Sequence, residues 1–429
     1  MNRDLCRAII GCLRVAGPVE EDLRCLRNFP LRDWETSLPW MDLSGVALAL
    51  WDRLQKFGAE DAVPRTVGEG LAENLANNHR RVAAMTQEFD SLNRRFERTR
   101  VEYVVWKGFA LIPEYCPDAY LRPTYDYDYI ISPDAWNDAQ DVLQAAGYVR
   151  KPEPGTQLSL TFVHRHLPSR LSRSLGGLYA ATLPRKVELH LDPWDDEAFR
   201  ISLRVPDHPL TRKVRRTWQG LSFYSFGEQD VFVFQALHTF QHILHHWCRL
   251  GWLLEIAYFL ESRSADSPFW KKLYAYLEDN APVTEVVALV ISLAAGLFHA
   301  TIPAPIKDRL LGAMRGQVAL WVEHYGLRSA LDNFSKNKYP LFLYREFVRD
   351  ETAWRKIRRS RLLPLHQPNR VAGAATPGTS TRLPKSWKQM WYVAQRLIHH
   401  TASGAGYAWE SARWNRLRRL SAHRVLRGG

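Results

Sequence analysis

Asp126 and Asp128 stand one residue apart in "RPTYDYDYII" (122–131), inside an otherwise aromatic and aliphatic run. Side chains alternate along a strand, so Asp126, Asp128 and Ile130 share one face while Tyr127, Tyr129 and Ile131 share the other. A strand that only filled a core would not carry two carboxylates on one face. Such a pair can hold divalent cations: magnesium takes hard oxygen ligands, usually one or two carboxylates plus substrate phosphates. A two-metal phosphoryl-transfer site needs one carboxylate more. "VELHL" (187–191) offers it, because alternation puts Glu188 and His190 on one face and Val187, Leu189 and Leu191 on the other. If this strand lies beside the first, Glu188 completes a triad. His190 reads as a supporting histidine rather than a ligand.

A phosphate partner needs backbone donors and close approach. Lys107-Gly108 follows the strand-like "VEYVVW" (101–106) and precedes "FALIPEYC", which reads as a helical turn. Glycine permits close approach, a helix N-terminus favours an anion, and Lys107 adds a point charge. Arg122, four residues before Asp126, could fork onto a phosphate or lock the aspartate pair. A second constellation is His238, His242, His245 and His246 in "ALHTFQHILHHWCRL". Several of these share a helical face and could hold zinc, as a histidine-based metal hydrolase would require. No carboxylate stands at HExxH spacing, so a polar seam facing the cleft is preferred.

These residues need positioning elements. Residues 1–98 read as helical. Their longest segment places Leu75, Val82, Met85, Phe89, Leu92 and Phe96 on one helix face. Residues 99–228 read as an α/β unit: "VEYVVW", then "YDYDYII", then an amphipathic helix "DAWNDAQDVLQAAGY" with Asp134 as N-cap and Gly147 as stop, then "KVELHLD". Residues 229–350 read as helical again, and the run "VVALVISLAAGLF" (286–298) reads as a buried core helix. A Pro/Gly/Ser/Thr-rich linker occupies 366–385, within a basic segment 351–429 whose "SWKQMWYVAQRLIHH" and "YAWESARWNRLRRLSAHRVLR" read as short helices.

Charge is concentrated in that last segment. From Asp350 to Gly429 there are 16 Lys+Arg against 3 Asp+Glu, which accounts for the whole net charge of +13 and leaves the preceding 349 residues neutral. The high isoelectric point therefore does not argue for a nucleic-acid binder, and no nucleic-acid recognition motif is present. The segment suits an anionic membrane surface or an acidic partner. The five cysteines are scattered without CxxC spacing, which speaks against a disulfide framework and a structural zinc. With no signal-peptide pattern at the N-terminus, the expected location is cytoplasmic, peripheral at the membrane if the basic segment docks there.

Taken together, "VEYVVWKGFAL", "LRPTYDYDYIISPDAWNDAQDVLQAAGY" and "VELHL" resemble the polymerase-β-like nucleotidyltransferase superfamily. The closer resemblance is to a poorly characterised bacterial nucleotidyltransferase family with a KG…R…DxD…ELH core. It spans roughly residues 70–265 and takes in His238, His242, Arg249, Trp252 and Glu255. The chain departs from the pattern in three places: Lys-Gly stands where classical members have Gly-Ser, Tyr129 follows the second Asp, and Glu255 replaces an Asp. The resemblance implies an α+β fold, with a small mixed sheet and helices as the core, flanked by helical domains. It implies Asp126, Asp128 and Glu188 as catalytic ligands of Mg²⁺ or Mn²⁺. Lys107-Gly108 and Arg122 would then lie at the nucleotide end, with ATP or another NTP as substrate and an acceptor that is a small molecule, peptide or protein. The alternative from another class is a catalytically inactive nucleotide-binding scaffold docked through the basic segment.

Overall fold

The computed structural model describes residues 1–151, 158–165, 175–182, 185–205, 208–332, 337–363 and 385–428. The chain divides into two compact units. The first comprises Met1–Asp195, Leu203–Phe240 and Arg249–Ala313; the second comprises Asp196–Ser202, Gln241–Cys248 and Met314–Gly429.

The first unit is built on one mixed sheet of seven strands. They are β1 (Tyr103–Val105), β2 (Asp126–Ile131), β3 (Tyr148–Arg150), β4 (Ser159–His164), β5 (Lys186–His190), β6 (Val214–Trp218) and β7 (Leu221–Ser225). Their order across the sheet is β3-β4-β5-β2-β1-β7-β6. Two neighbouring pairs are parallel, β2 with β5 and β1 with β7, and the rest antiparallel. The α+β class expected from the sequence is present, and the sheet is larger than the three strands legible there. β3 is three residues long, and β6 carries Arg215, Arg216 and Thr217 with little apolar alternation. Neither gives the period-2 signal that marks a half-buried strand.

One face of the sheet is the core. Tyr103, Val105, Tyr127, Tyr129, Ile131, Phe162, Val187 and Leu189 are buried against Val82, Met85, Phe89, Leu92 and Phe96 of the 34-residue helix Arg65–Arg98. The 3, 4 and 7 spacing of those helix residues makes one apolar stripe, which the aromatic face of β2 covers. Phe89 is the centre of this layer. Its ring lies 4.6 Å from Phe109, 5.1 Å from Phe223 and 6.1 Å from Tyr127. The polar end of the same layer is satisfied by Glu88, which accepts from Tyr127 Oη at 2.8 Å and also from Tyr148 Oη and Arg185 Nε. Burial pushes the Glu88 carboxyl up, but these donors outweigh it and hold it below the ordinary range.

The helix after β2 begins differently from the expectation. Ser132, not Asp134, is the cap: its Oγ accepts from Ala135 N at 3.3 Å, opening a 3-10 turn Pro133–Ala135 before the helix Trp136–Ala145. The hydroxyl of Ser132 sits just ahead of Pro133, whose fixed φ starts the turn. Gly147 does end the element, at φ 89, a conformation costly for a residue with a Cβ. The helix Ala281–Phe298 has the length and apolarity to cross a membrane, and 72% of it is buried in the structure, as a core helix would be.

In the second unit the two short basic helices of the sequence are one helix, Lys385–Gly428. The Ser-Gly-Ala-Gly stretch at 403–406 lies between those two segments, and packing carries the helix through it. Tyr407 stacks on Phe342 at 5.1 Å, Trp414 lies 5.8 Å from both Phe342 and Tyr325, and Tyr325 Oη donates to Glu410 Oε2 at 2.9 Å. The expected linker 366–385 lies outside the described residues, apart from Lys385.

Candidate active site

The face of the sheet opposite the core carries the acidic residues. β2 and β5 run parallel with Asp126 opposite Lys186, Asp128 opposite Glu188 and Ile130 opposite His190. Residues in register on neighbouring strands point to the same face. The condition the sequence left open is therefore met: "VELHL" lies beside "DYDYII", with Glu188 aligned on Asp128. Thr161 of β4 flanks Glu188 on its other side.

Among the described residues, Asp128, Glu188 and His190 offer ligand atoms within 4.8 Å of one another, close enough for one metal ion. His190 Nε2 is 3.3 Å from Asp128 Oδ1 and 3.8 Å from Glu188 Oε2. The histidine expected to support the site is thus part of the cluster. The signal was in the sequence, since alternation places His190 on the Glu188 face. Asp126 stands two residues up the same face, near the start of β2. The histidines at 238, 242, 245 and 246 form no such group among the described residues. His238 instead packs its ring 4.7 Å from Trp252 and 6.1 Å from Trp106, and Trp106 sits 5.1 Å from His190.

Lys107 is drawn into the cluster. Its Nζ lies 2.9 Å from Asp128 Oδ1 and 4.2 Å from the centre of the Trp106 ring. Burial pulls the Lys107 ammonium down, but Asp128, Asp126 and Glu188 outweigh it, and its pKa ends above the ordinary value. The two aspartates diverge. Burial first, then repulsion from Asp128 and Glu188, pushes Asp126 up to about 7. Asp128 is also penalised by burial, but Lys107 and His190 hold it well below the usual carboxylate range. Two carboxylates whose environments push their pKa values apart mark a functional-site candidate. The donor set fits a divalent cation: hard carboxylate oxygens, one imidazole, and a carboxyl whose proton is held by burial first and then by the neighbouring Asp128 and Glu188 charges.

Gly108 has φ 64, in the left-handed region, and its Cβ position would approach only Thr124 Cγ2, at 3.9 Å. The helical turn expected after it is present as a 3-10 helix of four residues, Gly108–Leu111. A phosphate here would rest on Lys107 and the open backbone at Gly108, with little help from a helix dipole.

Arg122 is buried and engaged away from the aspartates. Its Nε donates to Glu255 Oε1 at 2.8 Å and its Nη1 to Thr124 Oγ1 at 3.0 Å. Glu255 also accepts from Gln235 Nε2 at 3.0 Å. Of the two roles the sequence left open, neither is the direct contact found, although the Arg122 charge still lowers the pKa of Asp126. The segment leading into β2 is clamped from the helix Arg65–Arg98. Asn78 Nδ2 donates to Tyr120 O at 2.7 Å, and Arg81 Nε donates to Thr124 O at 2.9 Å. The guanidinium groups of Arg81 and Arg249 both lie over the Tyr125 ring, 5.4 and 4.9 Å from its centre. Local sequence carried no sign of Asn78, Arg81 or Gln235, whose partners named here stand 42, 43 and 20 residues away.

No curated protein and no solved structure matches this chain. A family model described as "Uncharacterised nucleotidyltransferase" does, over residues 30–299. The matched span takes in the helix Arg65–Arg98, the whole sheet with Lys107-Gly108 and the Asp128, Glu188 and His190 cluster, and Arg122 with Glu255. The chain thus belongs to the uncharacterised nucleotidyltransferase family.

Proposed function

We propose that this protein transfers a nucleoside monophosphate from an NTP to a hydroxyl, phosphate or amine of an acceptor, in a reaction dependent on Mg²⁺ or Mn²⁺. The observation that carries this reading is the parallel register of Asp128 with Glu188, which lines Asp126, Asp128, Glu188 and His190 along one sheet face beside Lys107-Gly108. In the transfer, the bond from the α-phosphorus to the bridging oxygen of pyrophosphate breaks. A bond from the acceptor oxygen or nitrogen to that phosphorus forms, and the acceptor's proton leaves to solvent.

Bound divalent ions would neutralise charge on the triphosphate and lower the pKa of the attacking group. The chain's own groups do the rest. Asp126, Asp128 and Glu188 hold the cations. His190 orients Asp128 through its Nε2 contact. Lys107, beside Asp128, would offer its ammonium to the phosphates, and Gly108 leaves the backbone open to close approach. Arg122 raises the positive potential at Asp126 from a position fixed by Glu255 and Thr124.

The test is incubation with each α-³²P-NTP, Mg²⁺ or Mn²⁺ and candidate acceptors, following label transfer and pyrophosphate. Transfer that disappears in Asp128→Asn supports the reading. Absence of transfer with every acceptor, together with absence of metal-dependent NTP binding, overturns it. One observation favours a second reading. The Lys107–Asp128 ion pair neutralises Asp128 without metal, as a nucleotide-binding scaffold would require. In that case NTP binds equally well in EDTA and no pyrophosphate is released.

A further inference from the structure

The helix Lys385–Gly428 buries one face in the second unit and presents the opposite face to solvent. His400, Ser403 and Trp414 define the buried side. At 100° per residue, Trp391, Ile398, Trp409 and Leu420 fall on a single stripe roughly opposite, with Ala394, Ala402 and Ala405 beside or between them. The four large residues are 66%, 75%, 78% and 47% exposed. The stripe runs for about 43 Å at the rise of an α-helix. Two exposed tryptophans on a helix whose other face already packs on a core have no role in holding the fold.

The charge around this stripe chooses its partner. The helix contains nine Lys and Arg and a single acidic residue, Glu410. Glu410 is turned inward, accepting from Tyr325 Oη at 2.9 Å. Arg413, Arg416 and Arg419 are exposed on the same helix. The neighbouring helix Glu351–Leu362, which packs against it, adds exposed Arg355, Lys356, Arg358 and Arg359. An apolar stripe with amphipathic tryptophans, flanked by cations on a helix with no exposed acid of its own, is the pattern of a helix that lies in a membrane interface; the exposed Glu351 of the neighbouring helix is paired with Arg345 and Arg355. A second copy of this chain would set the same cations against each other, so self-association is disfavoured by the charge that favours anionic lipid.

We propose that the exposed face of the helix Lys385–Gly428 docks on an anionic lipid bilayer, with Trp391, Ile398 and Trp409 inserted at the headgroup level and the arginines of both helices on the phosphates. This inference is independent of the reaction proposed above. The experiment is flotation of the full-length protein with vesicles of phosphatidylcholine alone or with 30 mol% phosphatidylserine, at 0.1 and 0.5 M salt. Wild type is compared with Trp391→Gln/Ile398→Gln/Trp409→Gln and with Arg355→Gln/Arg358→Gln/Arg359→Gln. The expected result is binding to the anionic vesicles alone, at least tenfold weaker in either variant, with circular dichroism and melting temperature unchanged. A variant with altered melting is replaced by the single exposed substitution Trp409→Gln, which should still weaken binding severalfold. Three results overturn the proposal: failure of wild type to float with anionic vesicles, binding unaffected by the apolar substitutions, or a concentration-dependent dimer, lost in the apolar variant, in place of vesicle binding.

Discussion

Lys107 Nζ lies 2.9 Å from Asp128 Oδ1, beside the cluster of Asp128, Glu188 and His190, and feels the charges of Asp126 and Glu188 as well. The ammonium occupies the position a metal ion would be drawn to. Replacing it with Lys107→Met leaves Asp128 buried without its cation, which costs about 3–5 kcal/mol for a broken buried pair. The protein should therefore melt at a lower temperature in EDTA. Manganese should restore more stability to the variant than it adds to wild type, because a competitor has been removed. Equal gains from manganese in both proteins would show that Lys107 and the ion do not share a place.

Metal binding should depend on pH through Asp126. With its carboxyl pushed up to about 7, Asp126 carries a proton below that pH, and a cation must displace it. Affinity for Mn²⁺ should rise as pH increases from 6 to 8, with proton release on binding. In the metal-free protein the sign is opposite. Folded Asp126 holds its proton more tightly than the unfolded chain does, so its contribution to stability grows as pH falls from about 7 toward the ordinary carboxylate range. Titration calorimetry in two buffers of different ionisation enthalpy reads the proton count. An affinity that is flat across this window would refute the assignment.

His190→Gln should weaken Mn²⁺ binding about 10–100-fold, the usual cost of losing a group that orients or joins a metal ligand set. Melting in EDTA should change far less, since His190 is on the acidic face of the sheet and outside the Phe89 layer. Paramagnetic relaxation of water protons by Mn²⁺ gives the affinity without any need for turnover.

Glu255→Gln and Arg122→Met should each destabilise the protein by about 3–5 kcal/mol, because each strands a buried partner. The double variant should cost less than the sum of the two. Urea denaturation of the three proteins supplies the coupling energy. Simple additivity would mean that the 2.8 Å contact contributes nothing beyond its separate burial.

Phe89→Ala should cost about 3–5 kcal/mol, the range for an aromatic removed from a packed core. The residue contacts both β2 and the turn after Lys107-Gly108 through Tyr127 and Phe109. The variant should therefore also bind metal more weakly at temperatures where it remains folded. Unchanged metal affinity would separate the core face of the sheet from the acidic one.

Much of the site was written locally. Period-2 alternation put Asp126 and Asp128 on one face of their strand, and Glu188 with His190 on one face of theirs. The 3.6-residue period named the helix stripe from Val82 to Phe96 that packs behind them. Both follow from backbone geometry alone, so the sequence by itself determined them. It also determined the class of chemistry those side chains can perform. Only the tertiary structure decided that Asp128 stands opposite Glu188, 60 residues later, since strand register is set by what each face buries and not by the strand's own residues. It decided that Arg122 belongs to Glu255 and that Lys107 belongs to Asp128, because a buried charge takes whichever partner the fold brings within reach. It also decided that the last helix runs unbroken through 403–406. There, contacts with Tyr325 and Phe342 outweigh the low helix propensity of Gly404 and Gly406, a balance that local sequence cannot weigh.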